Sequence, residues 1–467
     1  MTKRIIRVIS FAIIVFAVGG MTSCRKTPSK DNIVNKNDSS LSEMIDDTED
    51  GTDIETKDGS HREEWVNEAG DVTVTVSIDY SEGNEQMPVI RAASREISMD
   101  EIRKWADVLF EGKTVYEPQT RESKSEILER IAEIKGLMDE DELLEIYGTK
   151  EAVAGMMEYY QKMLDEYEAK YSDAPDNIEE KETDWAFHTE AYYNDIYSGE
   201  DSDGIQYFEC MAHNVNGHTA TISVMNRDRD DFKINMLFFY YQNSEELLVD
   251  HPLKVLPEEE VKRIADETIE ELGLEKEWVI YDINTNEFSD RCISMVRYVP
   301  CYNGINLIPV RLMFISGDAY ARKMYYSELT VTITNGLVEG IELQTPLEQK
   351  EVINDNVKII HFEEAYRIFK EQAFLQFTKE SLLDKEDPGY SQQHAYVCVN
   401  KVQKGLFRIK EKDKEDSYLL VPAWLFCGWR DYGYGDSTPS ADMHGESTPV
   451  MIINAIDGSI IDPNQGY

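Results

Sequence analysis

The stretch PEEEVKRIADETIEEL (257–272), with the apolar segments that follow it, decides how this chain is read. Val261, Ile264, Ala265, Ile269 and Leu272 recur at three- and four-residue spacing, which lines one face of an amphipathic helix. After it come VIYDI (279–283), CISMVRYV (292–299), NLIPVRLMFI (306–315), LTVTIT (329–334) and VEGIELQ (338–344), all of strand length and rich in Val, Ile, Leu or Tyr. Asn335-Gly336 joins the last two as a tight turn whose central residues both need φ > 0. A helix followed by a meander of antiparallel strands is an α+β plan, with the helix covering one sheet face.

The same order of parts recurs downstream. FEEAYRIFKEQAFLQF (362–377) reads as a helix, and AYVCVNKV (395–402), LFRIK (406–410), YLLVPAWLF (418–426) and PVMIINA (449–455) read as strands. Asp457-Gly458 then turns the chain into Ile460-Ile461. Two helix-plus-meander units are therefore expected, over 251–346 and 347–467. Upstream, Val72, Val74, Val76, Ile78 and Tyr80 alternate with mostly polar residues, the signature of a half-buried strand. Ser98 and Glu101 form a capping box before Ile102, Trp105, Leu109 and Phe110. Helical runs follow at 124–138, 140–147 and 151–171, with Leu128, Ile131, Ile134 and Leu137 on one face of the first. Strands return at 208–215 and 219–225 around Asn216-Gly217, and again at 232–241. This gives an N-terminal α+β domain over 63–250 with a helical insertion. The whole is α+β, with helices packed on antiparallel sheets and a helix-rich N-terminal region.

The first 24 residues have the three parts of a secretory signal. Lys3, Arg4 and Arg7 form a basic start, 9–18 is apolar and uncharged, and Gly19, Gly20 and Met21-Thr22-Ser23-Cys24 close it. This ending resembles the lipoprotein signal, in which the cysteine thiol receives a diacylglyceryl group before cleavage. Met21 stands where leucine is commoner. Two acyl chains at Cys24 suit stable anchoring, whereas one chain binds only marginally. The expected address is thus the extracellular face of a cell membrane. An uncleaved transmembrane anchor or a cleaved secreted form are the alternatives for the same segment. Residues 25–62, rich in Asn, Asp, Ser, Thr and Lys, read as a disordered acidic tether.

The 467 residues carry a formal charge of −44, and removal of the leader with its three cations leaves −47. Such a surface repels phosphate backbones, which excludes nucleic acid as a partner; cations or basic peptides are electrostatically acceptable, and solubility outside the cell is the plainer account of the charge. Beyond Cys24 the cysteines are Cys210, Cys292, Cys301, Cys398 and Cys427, too few and too odd in number for a disulfide framework. Core thiols are expected, with a Cys398–Cys427 pairing across a hairpin left open.

Two further stretches carry a family resemblance. Tyr298-Val299-Pro300-Cys301-Tyr302-Asn303-Gly304-Ile305 is similar to paired strands of PepSY-type extracytoplasmic domains. Val421-Pro422-Ala423-Trp424, with Ile453-Asn454-Ala455-Ile456-Asp457-Gly458-Ser459-Ile460-Ile461, resembles their closing strands. The resemblance covers about 256–467 and implies two PepSY/cystatin-like units. The whole chain, leader included, resembles a family of uncharacterised clostridial lipoproteins. What this implies is a non-catalytic role, in which such domains bind or regulate proteins of the cell envelope.

No motif in the chain marks a catalytic centre or a cofactor. Gly-x-Ser-x-Gly, Walker, dinucleotide-binding and His-Glu-x-x-His patterns are all missing. Cys210, His213 and His218 tempt a zinc reading, but their spacing is no recognised ligand set and Asn216-Gly217 splits the histidines. No metal site is therefore expected. Trp424, Trp429, Tyr432 and Tyr434, leading into a Gly-, Ser- and Asp-rich loop over 430–447, are the candidate binding surface. The bland reading makes the tryptophans core residues. A protein or peptide is the leading ligand class. The alternative is a cell-wall carbohydrate-binding protein or hydrolase that uses these aromatics.

Overall fold

The structure, a computed structural model, describes residues 41, 44–46, 57–83, 86–119, 122–188, 205–229, 232–242, 251–309, 326–379, 393–411, 414, 416–434, 448–463 and 465–466. The leader with Cys24 lies outside them. Three strands come first: β1 (Lys57–Val66), β2 (Val72–Glu82) and β3 (Val89–Ser94). Helices α1 (Met99–Leu109), α2 (Lys124–Leu137), α3 (Glu140–Tyr147) and α4 (Lys150–Tyr171) follow, then strands β4 (Ile205–Val215), β5 (His218–Arg229) and β6 (Phe232–Tyr241). Helix α5 (Glu258–Leu272) leads into β7 (Trp278–Glu287), β8 (Cys292–Tyr302), β9 (Ile305–Asn306), β10 (Glu328–Thr334), β11 (Leu337–Gln344) and β12 (Leu347–Asn354). Helix α6 (Phe362–Gln376) precedes β13 (Gln393–Lys410), β14 (Tyr418–Tyr434) and β15 (Thr448–Asn454).

These strands make two sheets, almost wholly antiparallel. The eight-stranded sheet runs β4-β5-β6-β11-β10-β8-β7, with β9 on β8. The seven-stranded sheet runs β1-β2-β13-β14-β3-β12, with β15 on β14, and its β2–β13 pair is parallel. Helices α1 and α5 share one core with the eight-stranded sheet, burying Ile102, Trp105, Val261, Ala265 and Ile269 against Phe208, Val224 and Leu329. Helix α6 covers the seven-stranded sheet, where Phe362, Tyr366 and Phe369 meet Val74, Val397, Trp424 and Phe426. Helices α2 to α4 pack on one another through Ile127, Ile131, Leu143 and Leu164, a small cluster of their own.

The strand pairing cuts across the sequential division 63–250, 251–346, 347–467. Strand β6 hydrogen-bonds to β11, so the strands of the first expected domain extend the sheet that α5 opens. Strands β1 to β3 join β13 and β14 at the far end of the chain. The reason is the apolar face of β2, buried at Val72, Val74, Val76 and Ile78. That face is covered by α6, and pairing with β13 carries β2 into the sheet the helix packs on. The tether of 25–62 also ends earlier than its composition suggests. Strand β1 begins at Lys57, and Ile45 is buried at 6% exposure, its carbonyl accepting from Asn354 Nδ2 at 2.7 Å.

Smaller corrections have local causes. Ser98 caps α1 by accepting from the Glu101 amide, but the Glu101 carboxylate turns to Arg95 at 2.6 and 3.0 Å, so the box is half-made. The complete box belongs to Ser123 and Glu126 at the start of α2. On α2 the buried face is Ile127, Ile131 and Ile134, while Leu128 is 50% exposed, because the cluster under α4 sets the helix phase. The segments 395–402 and 406–410 form one strand through Gly405, where a side chain would strike Ile308 and the Asn306 carbonyl. That close approach carries the Leu307–Leu406 bridge between the two sheets. The expected strand at 306–315 shrinks to Ile305–Asn306 and that bridge, and 310–325 lie outside the described residues. All three Asn-Gly turns hold both residues at positive φ, at 216–217, 303–304 and 335–336.

Candidate functional site

The β13–β14 hairpin places the expected aromatic surface, and it separates the four residues. Trp424 is core: it is 1% exposed, packs on Phe362 and donates its indole N–H to the Ile360 carbonyl at 3.0 Å. It is removed from the binding set, because the strand register turns it under α6. Trp429 lies further along β14 and is half-buried. Tyr432 and Tyr434 continue that strand opposite Ala395 and Gln393, and their side chains lie outside the described residues. The strand runs to Tyr434, so the loop expected from Arg430 starts later. A bulge between Val399 and Lys401 sets Cys398 opposite Trp429 and Cys427 opposite Lys401, so the two thiols do not face each other. All five described cysteines are free.

On the β4–β5 hairpin, Cys210 is buried and pairs in register with Ile222, and burial pushes its thiol far up. His213 contacts Glu180 and Thr219, each at 2.9 Å, and stacks obliquely on Tyr116. Among the described residues no three His, Cys, Asp or Glu side chains converge to hold a metal ion. Between α5 and strands β7 and β8 lies a groove of about 380 Å³ lined by Lys262, Asp266, Glu270, Trp278 and Tyr298. Two of its charges pair with each other, Lys262 with Asp266, and Tyr298 donates to the same carboxylate at 3.0 Å.

The most complete arrangement surrounds β1, which the sequence reading assigned mainly to the tether. His61 and Trp65 face α6: the His61 ring lies 4.0 Å from that of Tyr366, and Trp65 lies 6.3 Å from Phe369. Lys370 reaches across, with Nζ 5.2 Å from the Trp65 ring and 2.8 Å from Glu63 Oε2. Tyr80 donates to Glu363 at 2.6 Å, and burial together with that carboxylate pushes its phenol up to about 12. Glu82, 5% exposed, sits at the N-terminus of α6, 2.9 Å from His361 Nδ1 and 3.3 Å from the Phe362 amide. These contacts pin β1 and β2 to the helix.

What β1 offers is its outer backbone edge. It pairs with β2 over all ten residues without a register shift, and among the described residues no strand covers its other side. The other sheet ends are blunted. Strand β12 shifts register twice against β3, and β7 shifts once against β8. The edge of β4 is bridged by Tyr116 and His188. An unbulged edge is what proteins ordinarily avoid exposing, since its free N–H and C=O groups template another strand. The only sequence signals for it are His61 and Trp65 at even spacing in a run otherwise dominated by charge.

A second unusual group lies where the sheets meet. Arg408 is 1% exposed, its guanidinium carbon 4.6 Å from the Tyr418 ring and 5.3 Å from that of Tyr326, with Nε and Nη1 lacking hydrogen-bond acceptors. Nearby carboxylates are engaged elsewhere: Glu411 with Arg91 at 3.0 Å, Asp416 with Lys233 at 3.3 Å.

No protein-family model matches the chain, and no curated protein matches it. Two solved structures are similar at the level of outline. An uncharacterized protein from Eubacterium rectale ATCC 33656 aligns over 91% of this chain and 99% of its own, at 10% identity and a TM-score of 0.43. The YpeB C-terminal domain of Bacillus megaterium aligns over 55% of this chain and 88% of its own, at 10% identity and a TM-score of 0.22.

Proposed function

We propose that this chain is a lipid-anchored protein of the extracellular face of a cell membrane that binds a protein or peptide and catalyses no reaction. In this reading Cys24 carries the acyl chains, and the helix-plus-strand units at 251–346 and 347–467 are PepSY/cystatin-like, as in the clostridial lipoproteins the sequence resembles. The observation that carries the binding part is the unbulged β1 ladder with its outer edge uncovered among the described residues, packed on α6. Edges of this kind receive an extended segment as an added strand, main-chain hydrogen bonds supplying affinity. The carbohydrate alternative rested on four aromatics, and it loses Trp424 to the core.

Two measurements test the reading. Labelled palmitate should enter the wild-type chain and not Cys24→Ser, and the variant should leave the membrane fraction. Photocrosslinkers at exposed β1 positions should capture an envelope protein that crosslinkers on β12 do not. Retention of Cys24→Ser in membranes refutes the anchor, and equal capture from both edges refutes the binding surface.

A further inference from the structure

We infer that the β1 edge selects a basic extended segment, which it takes as an eighth strand of the seven-stranded sheet. This rests on the peptide-binding reading above and gives the ligand its chemistry. The side chains around the edge set its preference. Exposed Asp58 and Glu64 lie on one face of β1, and Glu63 with Glu363 lies on the face towards α6. The cations there are already engaged: Arg62 with Asp79 at 2.8 Å and Lys370 with Glu63 at 2.8 Å. An incoming strand therefore meets the exposed carboxylates of Asp58 and Glu64, the latter accepting from Thr75 Oγ1 at 3.5 Å, beside a half-buried indole on a chain of net charge −44. Lysine or arginine at alternate positions would pair with Asp58 and Glu64, and one turned towards α6 would lie against Trp65. An acidic strand would be repelled, and so would a second copy of this chain, which brings the same −44 to the contact. Val66, 53% exposed at the strand's end, offers an apolar contact for the residue that follows the basic run.

Three labelled decapeptides separate the causes when added to the full-length chain in detergent micelles. One alternates Lys with Val, one alternates Glu with Val, and one alternates Lys with Pro, which keeps the charge but removes half the strand donors. Fluorescence anisotropy reads binding, and hydrogen exchange reads which amides become protected. The Lys–Val peptide should bind and slow exchange across 57–66, leaving 347–354 on β12 unchanged. The other two should protect neither edge. The double variant Asp58→Lys/Glu64→Lys, both positions exposed, should weaken Lys–Val binding by roughly three- to tenfold. Protection of β1 by the Glu–Val or the Lys–Pro peptide overturns the inference, as does Lys–Val binding that leaves β1 exchange unaltered. An envelope partner captured while β1 stays unprotected sinks this edge alone and leaves the general binding reading standing.

Discussion

The two sheets reach similar size by opposite routes. The eight-stranded sheet is drawn from one stretch, 205–344, in which β4–β5, β5–β6, β7–β8 and β10–β11 are neighbours in sequence as well as in space. The seven-stranded sheet takes strands from both ends of the chain. Its β2–β13 contact joins residues as distant as Thr73 and His394, 321 positions apart, whose side chains meet at 2.8 Å. Local pairing closes short loops, whereas distant pairing must first overcome the entropy of a long one. The seven-stranded sheet offsets this with a dense aromatic layer, Tyr80, Phe362, Tyr366, Phe369, Trp424 and Phe426 in mutual contact under α6.

The largest test of this contrast removes one anchor from each sheet. Trp105→Ala and Trp424→Ala should each cost about 3–5 kcal/mol, since both side chains are fully buried. The sheets are tied by the Leu307–Leu406 bridge and by Tyr281 on β7, whose hydroxyl donates to Gln403 on β13 at 2.9 Å. Calorimetry should therefore show one transition in the wild type, and Gly405→Val, which blocks the bridge, should split it. A wild type that already melts in two steps would show the sheets to be independent.

Next in size is a pair of glycines. A side chain at Gly428 would lie 1.7 Å from the Cys398 carbonyl oxygen, so Gly428→Ala should cost about 3 kcal/mol in denaturant titration. At Gly340 in the other sheet the nearest atom is 3.4 Å away, and Gly340→Ala should gain about 0.5 kcal/mol from lost unfolded-state entropy.

Acid should act on the sheets in opposite senses. Burial raises Glu209 on β4 from 4.5 to about 7, so the folded state prefers it protonated. Its contribution is complete below 4.5 and disappears as pH rises towards 7. Glu411, just past β13, is pushed up by burial, but hydrogen bonds from Arg91, Lys414 and Ser417 prevail and hold it at about 2. Its contribution is present above 4.5 and is lost as pH falls towards 2. Glu209→Gln should flatten the first slope and Glu411→Gln the second, as read by stability against pH.

The smallest effect is expected at Arg408. A buried guanidinium with Nε and Nη1 lacking acceptors gains little beyond its two aromatic contacts, so Arg408→Met should leave stability unchanged or raise it by about 1 kcal/mol. A loss of several kcal/mol would mean that the charge has a partner the static structure lacks.

What could be read from the sequence follows the range over which each signal acts. Helices α5 and α6, strand β2 and the Asn-Gly turns announce themselves within one element, through a 3.6- or two-residue period or through φ > 0 at two neighbours. Strand β1 was missed because its ladder with β2 is made of backbone bonds, while its side chains are mostly charged. The β2–β13 pairing leaves no local trace at all. Trp424 looked equally suited to a surface or a core, and only the register of β14 under α6 decides for the core. Cys24 and the side chains of Tyr432 and Tyr434 lie outside the described residues, so those expectations stand as read from sequence.

The parallel seam between β2 and β13 also sets a clock. Ribosomes add roughly 5–20 residues each second, so β2 waits on the order of tens of seconds for the partner that buries its valines. During that interval the β1–β2 hairpin is an unpaired, aggregation-prone ribbon, and any chain cut short before 395 keeps it so permanently. Nascent or truncated forms should accordingly depend on holding chaperones, and the finished protein should not.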